Sequence, residues 1–167
     1  MIVIGISGKA RHGKDYLANE LQKIIPGSQR YTLANALKCY CRVAGLMDVK
    51  DGKVLQLVGT DLYRHKDEDF WVKMLDYQFQ EEKPEVAIIP DVRFPNEINW
   101  IEAKGGICIR MTRWVHMCDE MYYTDDRPKD HPSEIALDDH TFKFNFDAVS
   151  GDLQSIKDYA RWIKKNI

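Results

Sequence analysis

What the chain lacks narrows the field first. Its 167 residues carry a formal net charge of −2, so the broad basic field used by nucleic-acid binders is missing. Apolar stretches stay strand-sized, as at Val86 to Pro90, and none approaches the roughly 20 residues needed to cross a bilayer. The chain enters a strand-like run directly, without a charged leader and apolar stretch, so a cytoplasmic location is expected. Only four cysteines occur, Cys39, Cys41, Cys108 and Cys118, and no two form a Cys-x-x-Cys pair. Reduced thiols are expected in place of a zinc site or disulfides. No repeat, low-complexity segment or linker divides the chain, which predicts one domain over residues 1–167.

What is present alternates between strand and helix. Ile2 to Ile6 is a β-branched run that reads as a buried strand, followed by a glycine-bearing loop and a helix from about Asp15 to Ile25. Arg30 to Leu33 is a weak second strand, and Ala34 to Met47 a helix. Asp51-Gly52 marks a turn, and Lys53 to Val58 is ambiguous. Asp69 to Glu82 has helical spacing, with Phe70, Met74, Tyr77 and Phe79 as its expected buried side. Val86 to Pro90 lacks polar alternation, as a central parallel strand covered on both faces should. A helix from Pro95, strands at Ile107 to Met111 and Phe144 to Val149, and a closing helix from Leu153 complete the pattern. The prediction is an α/β fold: a three-layer αβα sandwich around a mainly parallel five-stranded sheet.

The sharpest signal is Gly8-Lys9-Ala10-Arg11-His12-Gly13-Lys14-Asp15, which matches Gly-x-x-x-x-Gly-Lys between a strand and a helix. Glycines let the backbone fold tightly and turn N–H groups toward phosphate oxygens. The helix N-terminus adds partial positive charge, Lys14 a full one, and Lys9 and Arg11 raise it further. The position after the lysine is usually Ser or Thr. Here it is Asp15, which reads either as a hard ligand for Mg²⁺ or as a helix cap.

Asp91 ends the most apolar strand, where open α/β sheets place ligands. It reads as a carboxylate holding the Mg²⁺ water shell or as a cap for the next helix. No Glu follows it to activate water, which favours transfer over hydrolysis, and no Asn-Lys-x-Asp segment selects guanine. Arg93 lies where a guanidinium can clamp a phosphate.

Taken together, the segments resemble the deoxynucleoside monophosphate kinase family of bacteriophages. The resemblance rests on Gly8 to Asp15 with its unusual aspartate, on Leu55 to Arg64 followed by Phe70-Trp71-Val72, on Asp91-Val-Arg-Phe-Pro-Asn-Glu97, and on His131-Pro-Ser-Glu134 with Leu137-Asp138. Tyr16 and Pro90 depart from the family pattern. Animal-type phosphomevalonate kinases are more distantly similar, sharing the Gly-Lys-Asp loop and an Asp-x-Arg strand end. They supply the alternative function, and an ATP-binding module without catalysis is another.

The resemblance implies a P-loop kinase of the nucleoside-monophosphate-kinase type, using ATP and Mg²⁺ to phosphorylate a deoxynucleoside 5′-monophosphate. Its partners would be small nucleotides, with neither nucleic acid nor membrane, and a homodimer is the assembly considered. A phage-encoded protein would work in the host cytoplasm. In that reading the loop residues Gly8 to Asp15 hold ATP, and Asp15 and Asp91 serve the metal. Lys14, Asp91, Arg93, Arg113 and Arg127 form the catalytic set. Lys38, Asp61, Arg64, Trp71 and Arg93 form the acceptor site. Lys38 reads equally as a solvated helix lysine and Trp71 as core. A basic lid is expected at about 114–134, carrying Arg127, Lys129 and His131, against the plainer reading of a surface loop.

Overall fold

The computed structural model describes residues 1–46, 51–114 and 130–167. Five strands form one sheet: β1 (Ile2–Ser7), β2 (Ser28–Arg30), β3 (Val86–Val92), β4 (Ile107–Trp114) and β5 (Phe144–Val149). Their spatial order is β2-β3-β1-β4-β5, and every pairing is parallel. The expectation of a mainly parallel sheet is met by a wholly parallel one.

Alternation of side chains explains the two cores. Val3, Ala87 and Ile89 point to one face, joined by Val92 beyond the irregularity in the β1–β3 register, and pack with Ile98 and Ile101 of α5 (Pro95–Ala103) and with Val72, Leu75 and Phe79 of α4 (Phe70–Glu82). Ile4, Ile6, Ile88 and Ile109 point to the other and pack on Leu17 and Leu21 of α1 (Lys14–Ile24) and Ile156 and Ile163 of α7 (Leu153–Asn166). Burying such a side chain fully stabilises by about 1.5–3 kcal/mol, so both faces of the sheet must be covered. Among the described residues no helix is long and apolar enough to cross a membrane.

A smaller cluster of Leu37, Cys41, Val58 and Trp71 lies beside these cores. It joins α2 (Asn35–Val43), α3 (Gly52–Gln56) and a π-helical stretch, Leu57–Arg64. Asp51 begins α3 by accepting from the backbone N–H groups of Lys53 (2.9 Å) and Val54 (3.2 Å). The expected turn is therefore a helix cap, and the ambiguous run after it is helical.

Three expectations are corrected. The second strand lies at Ser28–Arg30, upstream of the expected Arg30 to Leu33. Tyr31 N–H makes the last ladder bond, to Ile88 O (2.9 Å), and beyond it the Asp91 carboxylate captures the amides of Leu33 and Ala34, both at 3.0 Å. The buried side of α4 is the row Trp71, Val72, Leu75 and Phe79, whereas Met74 and Tyr77 are 45% and 65% exposed. Residues 71, 75 and 79 form one continuous i, i+4 ridge, and that ridge wins over the neighbouring one. The third strand runs on to Val92, past the expected end at Asp91, which leaves Pro90 inside it. The proline's missing N–H is tolerated because β2 pairs only as far as Ile88 and the β1 register shifts between Gly5 and Ser7. The expected lid falls mostly on residues 115–129, outside the described residues, as do Arg127 and Lys129. Its end is visible as a short helix, α6 (Pro132–Ile135).

Candidate active site

The loop between β1 and α1 is held by its own backbone and by β4. Gly8 has φ 149°, and a Cβ there would lie 2.3 Å from the Met111 carbonyl oxygen, so only glycine permits this approach. Gly13, at φ 87°, is the N-terminal cap of α1. Lys14 Nζ donates to Lys9 O at 2.6 Å, and His12 N–H donates to the same carbonyl at 3.3 Å. The loop thus closes around Lys9 O.

The His12 ring has a part the sequence did not reveal. Burial, helped by the nearby charges of Lys14, Arg110 and Lys9, holds its pKa below the ordinary value despite its backbone bond to Met111. A neutral ring facing a carbonyl must carry its proton on Nδ1, so His12 donates to Met111 O at 3.2 Å and ties the loop to β4. Arg113 is also a loop tether. It donates to Arg11 O (3.2 Å) and to Ser150 Oγ (2.5 Å), away from the cleft described next. Lys9 Nζ pairs with Asp138 Oδ2 at 2.9 Å, and Arg110 Nη2 with Asp138 Oδ1 at 2.9 Å.

A cleft of about 560 Å³ opens at the C-terminal ends of β2 and β3. Ala10, Arg11, Lys14 and Asp15 of the loop line it, together with Lys38, Arg64, Trp71, Asp91 and Arg93. Six basic side chains (Arg11, Lys14, Arg30, Lys38, Arg64, Arg93) face four acidic ones (Asp15, Asp91, Glu97, Glu134). Such a surplus suits a polyanion. Of the sequence candidates, Asp61 lines a neighbouring cavity of about 500 Å³ with Thr60, Arg64 and His65.

The partners of these residues refine their roles. Asp15 is paired with Arg30, which reaches in from β2. Both Asp91 oxygens accept backbone N–H groups, from Leu33 and Ala34. Lone pairs remain on each oxygen, so anchoring and metal binding are compatible. Arg93 Nη1 meets Glu134 Oε2 at 2.8 Å and Ser133 O at 3.2 Å, docking α6 onto the cleft. Trp71 is buried and donates from Nε1 to Gly59 O at 2.9 Å, so the core reading holds while one side of the ring still lines the cleft. Arg64 stacks over the Phe94 ring, 4.0 Å from its centroid, and pairs with Glu97.

Glu97 is the residue that sequence reasoning passed over. It is 1% exposed. Burial pushes its carboxyl up, opposed by Arg64 and by N–H donation from Arg93 (2.6 Å) and Phe94 (3.1 Å). One side chain thereby fixes the start of α5, the Arg93 backbone and the Arg64 guanidinium. It sits three residues after Phe94, the cap of α5, but Phe stands where a capping box carries Ser or Thr, so the spacing gave no signal in the sequence.

The loop, the all-parallel sheet and its strand order define the P-loop kinase fold. Comparison with solved structures agrees. The chain superposes on a tunicamycin resistance protein of Deinococcus radiodurans with TM-score 0.57 and 14% identity, covering 99% of this chain and 94% of that one. It matches shikimate kinase from Bacteroides thetaiotaomicron with TM-score 0.53 and 13% identity, covering 99% and 97%. TT1252 from Thermus thermophilus gives 0.53 and 14%, also covering 99% and 97%. More particularly, the chain is similar to the deoxynucleoside-5′-monophosphate kinase of Escherichia phage T5, with 50% identity over 94 residues. That match covers 51% of this chain and 34% of the phage protein, so the chain spans about a third of its curated relative. No protein-family profile matches the chain.

Proposed function

We propose that the protein is a nucleotide kinase that transfers the γ-phosphoryl group of ATP to a deoxynucleoside 5′-monophosphate. The observation that carries this reading is that Lys14, Asp91 and Arg93 line one cleft, which has a surplus of basic side chains. The similarity to the phage kinase supplies the acceptor class.

The residues fit ATP. The loop is closed around a carbonyl that Lys14 Nζ already contacts, and α1 starts at that point, bringing the positive end of its dipole to the loop. Among the described residues no three His, Cys, Asp or Glu side chains converge on a point. Asp15 and Asp91 together suit Mg²⁺, which keeps several waters and takes one or two carboxylates plus phosphate oxygens. The metal would neutralise charge on the transferring phosphates.

The chain's own residues would do the alignment, which contributes up to about 7–11 kcal/mol in well-oriented reactions. Lys14 and the loop amides would hold the donor. Lys38 and Arg93 would grip the acceptor phosphate, whose oxygen attacks without a strong base. Arg93 is held by Glu134 and Ser133 O, so the clamp is oriented before substrate arrives. Incubating the protein with ATP, Mg²⁺ and a panel of deoxynucleoside and nucleoside monophosphates tests the proposal. Diphosphate product with the deoxynucleotides is expected. ADP formation without any diphosphate product, or activity with mevalonate phosphate alone, would overturn it.

A further inference from the structure

One wall of the cleft carries a chain of hydrogen bonds whose direction follows donor by donor. The peptide N–H of Ser133 points at Nδ1 of His131, 3.2 Å away. A peptide N–H only donates, so that nitrogen holds no proton. The Ser133 hydroxyl, 2.9 Å from the same nitrogen, therefore donates a hydrogen bond to it, sharing its one lone pair with the peptide N–H. Ser133 Oγ is left as an acceptor for Gln56, 3.4 Å away, and Gln56 must offer it the NH₂ end of its amide. At the far end, His131 Nε2, left with the ring's proton because Nδ1 has none, lies 3.5 Å from Asp61 Oδ1 and makes no hydrogen bond among the described residues. The direction is the same throughout.

The orientation of an amide is ordinarily ambiguous. Here the relay sets it and turns the Gln56 carbonyl away from Ser133. Gln56 is 7% exposed and lines the cleft, and its Oε1 is buried with no hydrogen-bond partner among the described residues. A buried carbonyl without a donor is costly to maintain. The same cleft is also lined by Leu37, Gly59 and Trp71, apolar surface suited to a planar base more than to a phosphate.

We propose that the His131–Ser133 relay makes Gln56 an acceptor-only reader of the nucleobase, preferring bases with an exocyclic amino group over their keto counterparts. The inference rests on reading the cleft as a nucleotide acceptor site. An amino group donates to Oε1, whereas a keto oxygen meets it lone pair against lone pair. His131 and Ser133 are positioning residues, acting through Gln56.

The test is equilibrium binding of two matched pairs, dCMP against dUMP and dAMP against deoxyinosine monophosphate. The unmodified chain should bind the amino member of each pair about tenfold more tightly, the size of one matched base contact. Ser133→Ala releases the amide, and the ratio should fall toward one. His131→Ala takes away the hydroxyl's acceptor, so Ser133 donates to Oε1, the NH₂ turns into the cleft, and the preference should invert. The Gln56 side-chain amide resonances, followed by ¹⁵N–¹H NMR, should shift in both variants while the rest of the spectrum persists. Equal binding within each pair, or a ratio untouched by both substitutions, overturns the inference. Phosphoryl transfer with flat ratios sinks the base reader and leaves the kinase standing. The expected ratios without transfer do the reverse, and no binding of any of the four nucleotides sinks both.

Discussion

At the scale of single residues, a kinase working as proposed would divide the cleft into groups that act on a ligand and groups that hold those groups still. Lys14 is of the first kind, its ammonium turned onto the loop carbonyl at 2.6 Å. Lys14→Ala should lower kcat by about 10²–10³-fold or more, the loss typical of one preorganised electrostatic contact. A purified, folded variant with near-normal turnover would remove Lys14 from the mechanism. Asp91 has a foot in both classes. Asp91→Asn replaces one acceptor oxygen with an NH₂ that must face the Leu33 or Ala34 N–H, donor against donor. Urea unfolding in the absence of any divalent cation should register a loss of about 1–3 kcal/mol. A carboxylate whose only task is to hold metal would leave that metal-free measurement unchanged. Arg93→Ala should raise the acceptor KM well above any change in the KM for ATP, because its contacts lie with α6 and not with the phosphate loop. A selective loss of ATP affinity would contradict the assignment.

At the scale of elements, the Arg64–Glu97 pair pins the π-helical stretch to α5. Glu97 is fully buried and Arg64 nearly so. Removing one partner of a buried pair strands the other charge, so Glu97→Ala should cost about 3–5 kcal/mol. The double variant Glu97→Ala/Arg64→Ala should lose less than the sum of the single losses, and additive losses would show that the pair is not coupled. This pair also shows where sequence reading stops. β1, β3, β5, the phosphate loop and α7 were legible because each is a local signal: an unbroken apolar run, a glycine spacing, or a period of 3.6. The face of α4 was not, because Phe70, Met74 and Tyr77 are as apolar as Trp71 and Leu75, and only the packing partners choose between adjacent ridges. The end of β2 was not legible either, since it is set by Asp91 acting across 58 positions of sequence. The π-helical winding of Leu57–Arg64 has no composition signal of its own, though it carries the carbonyl that Trp71 binds. Within the site, the loop and the Asp91–Arg93 strand end were readable. His12 as a tether, Gln56 and the buried role of Glu97 depend on long-range neighbours.

At the scale of the whole molecule, the acidic side chains predict how stability varies with pH. Hydrogen bonding from Lys104 leads the influences that hold the Asp76 carboxyl below its ordinary value. For Asp138, burial alone would push the carboxyl up, but Lys9 and Arg110 outweigh it and the net shift is downward. A carboxyl depressed in the folded state binds its proton more weakly there than in the unfolded chain. Its contribution is therefore complete above the unfolded value, near about pH 4, and is lost as pH falls through the lower folded value. Glu97 is shifted the other way, so its protonation favours the folded state as pH falls. Glu97 opposes the depressed carboxyls, whose loss should make the melting temperature fall most steeply below about pH 4, whereas His12, held below its ordinary value in the fold, adds a loss that begins as pH drops through about 6.5, its unfolded value. Asp138→Asn should shrink that fall, and added salt should shrink it too, because Asp138 and Lys9 are partly exposed. The same titration reaches the phosphate loop. Once Asp138 takes a proton, Lys9 loses its ionic partner and the loop keeps its backbone ties to β4 and its own Lys14 contact. ATP affinity should then fall less steeply with acidification than stability does. A parallel fall in both, measured by nucleotide titration and thermal melting on the same samples, would show that the loop depends on the Asp138 clamp for its shape.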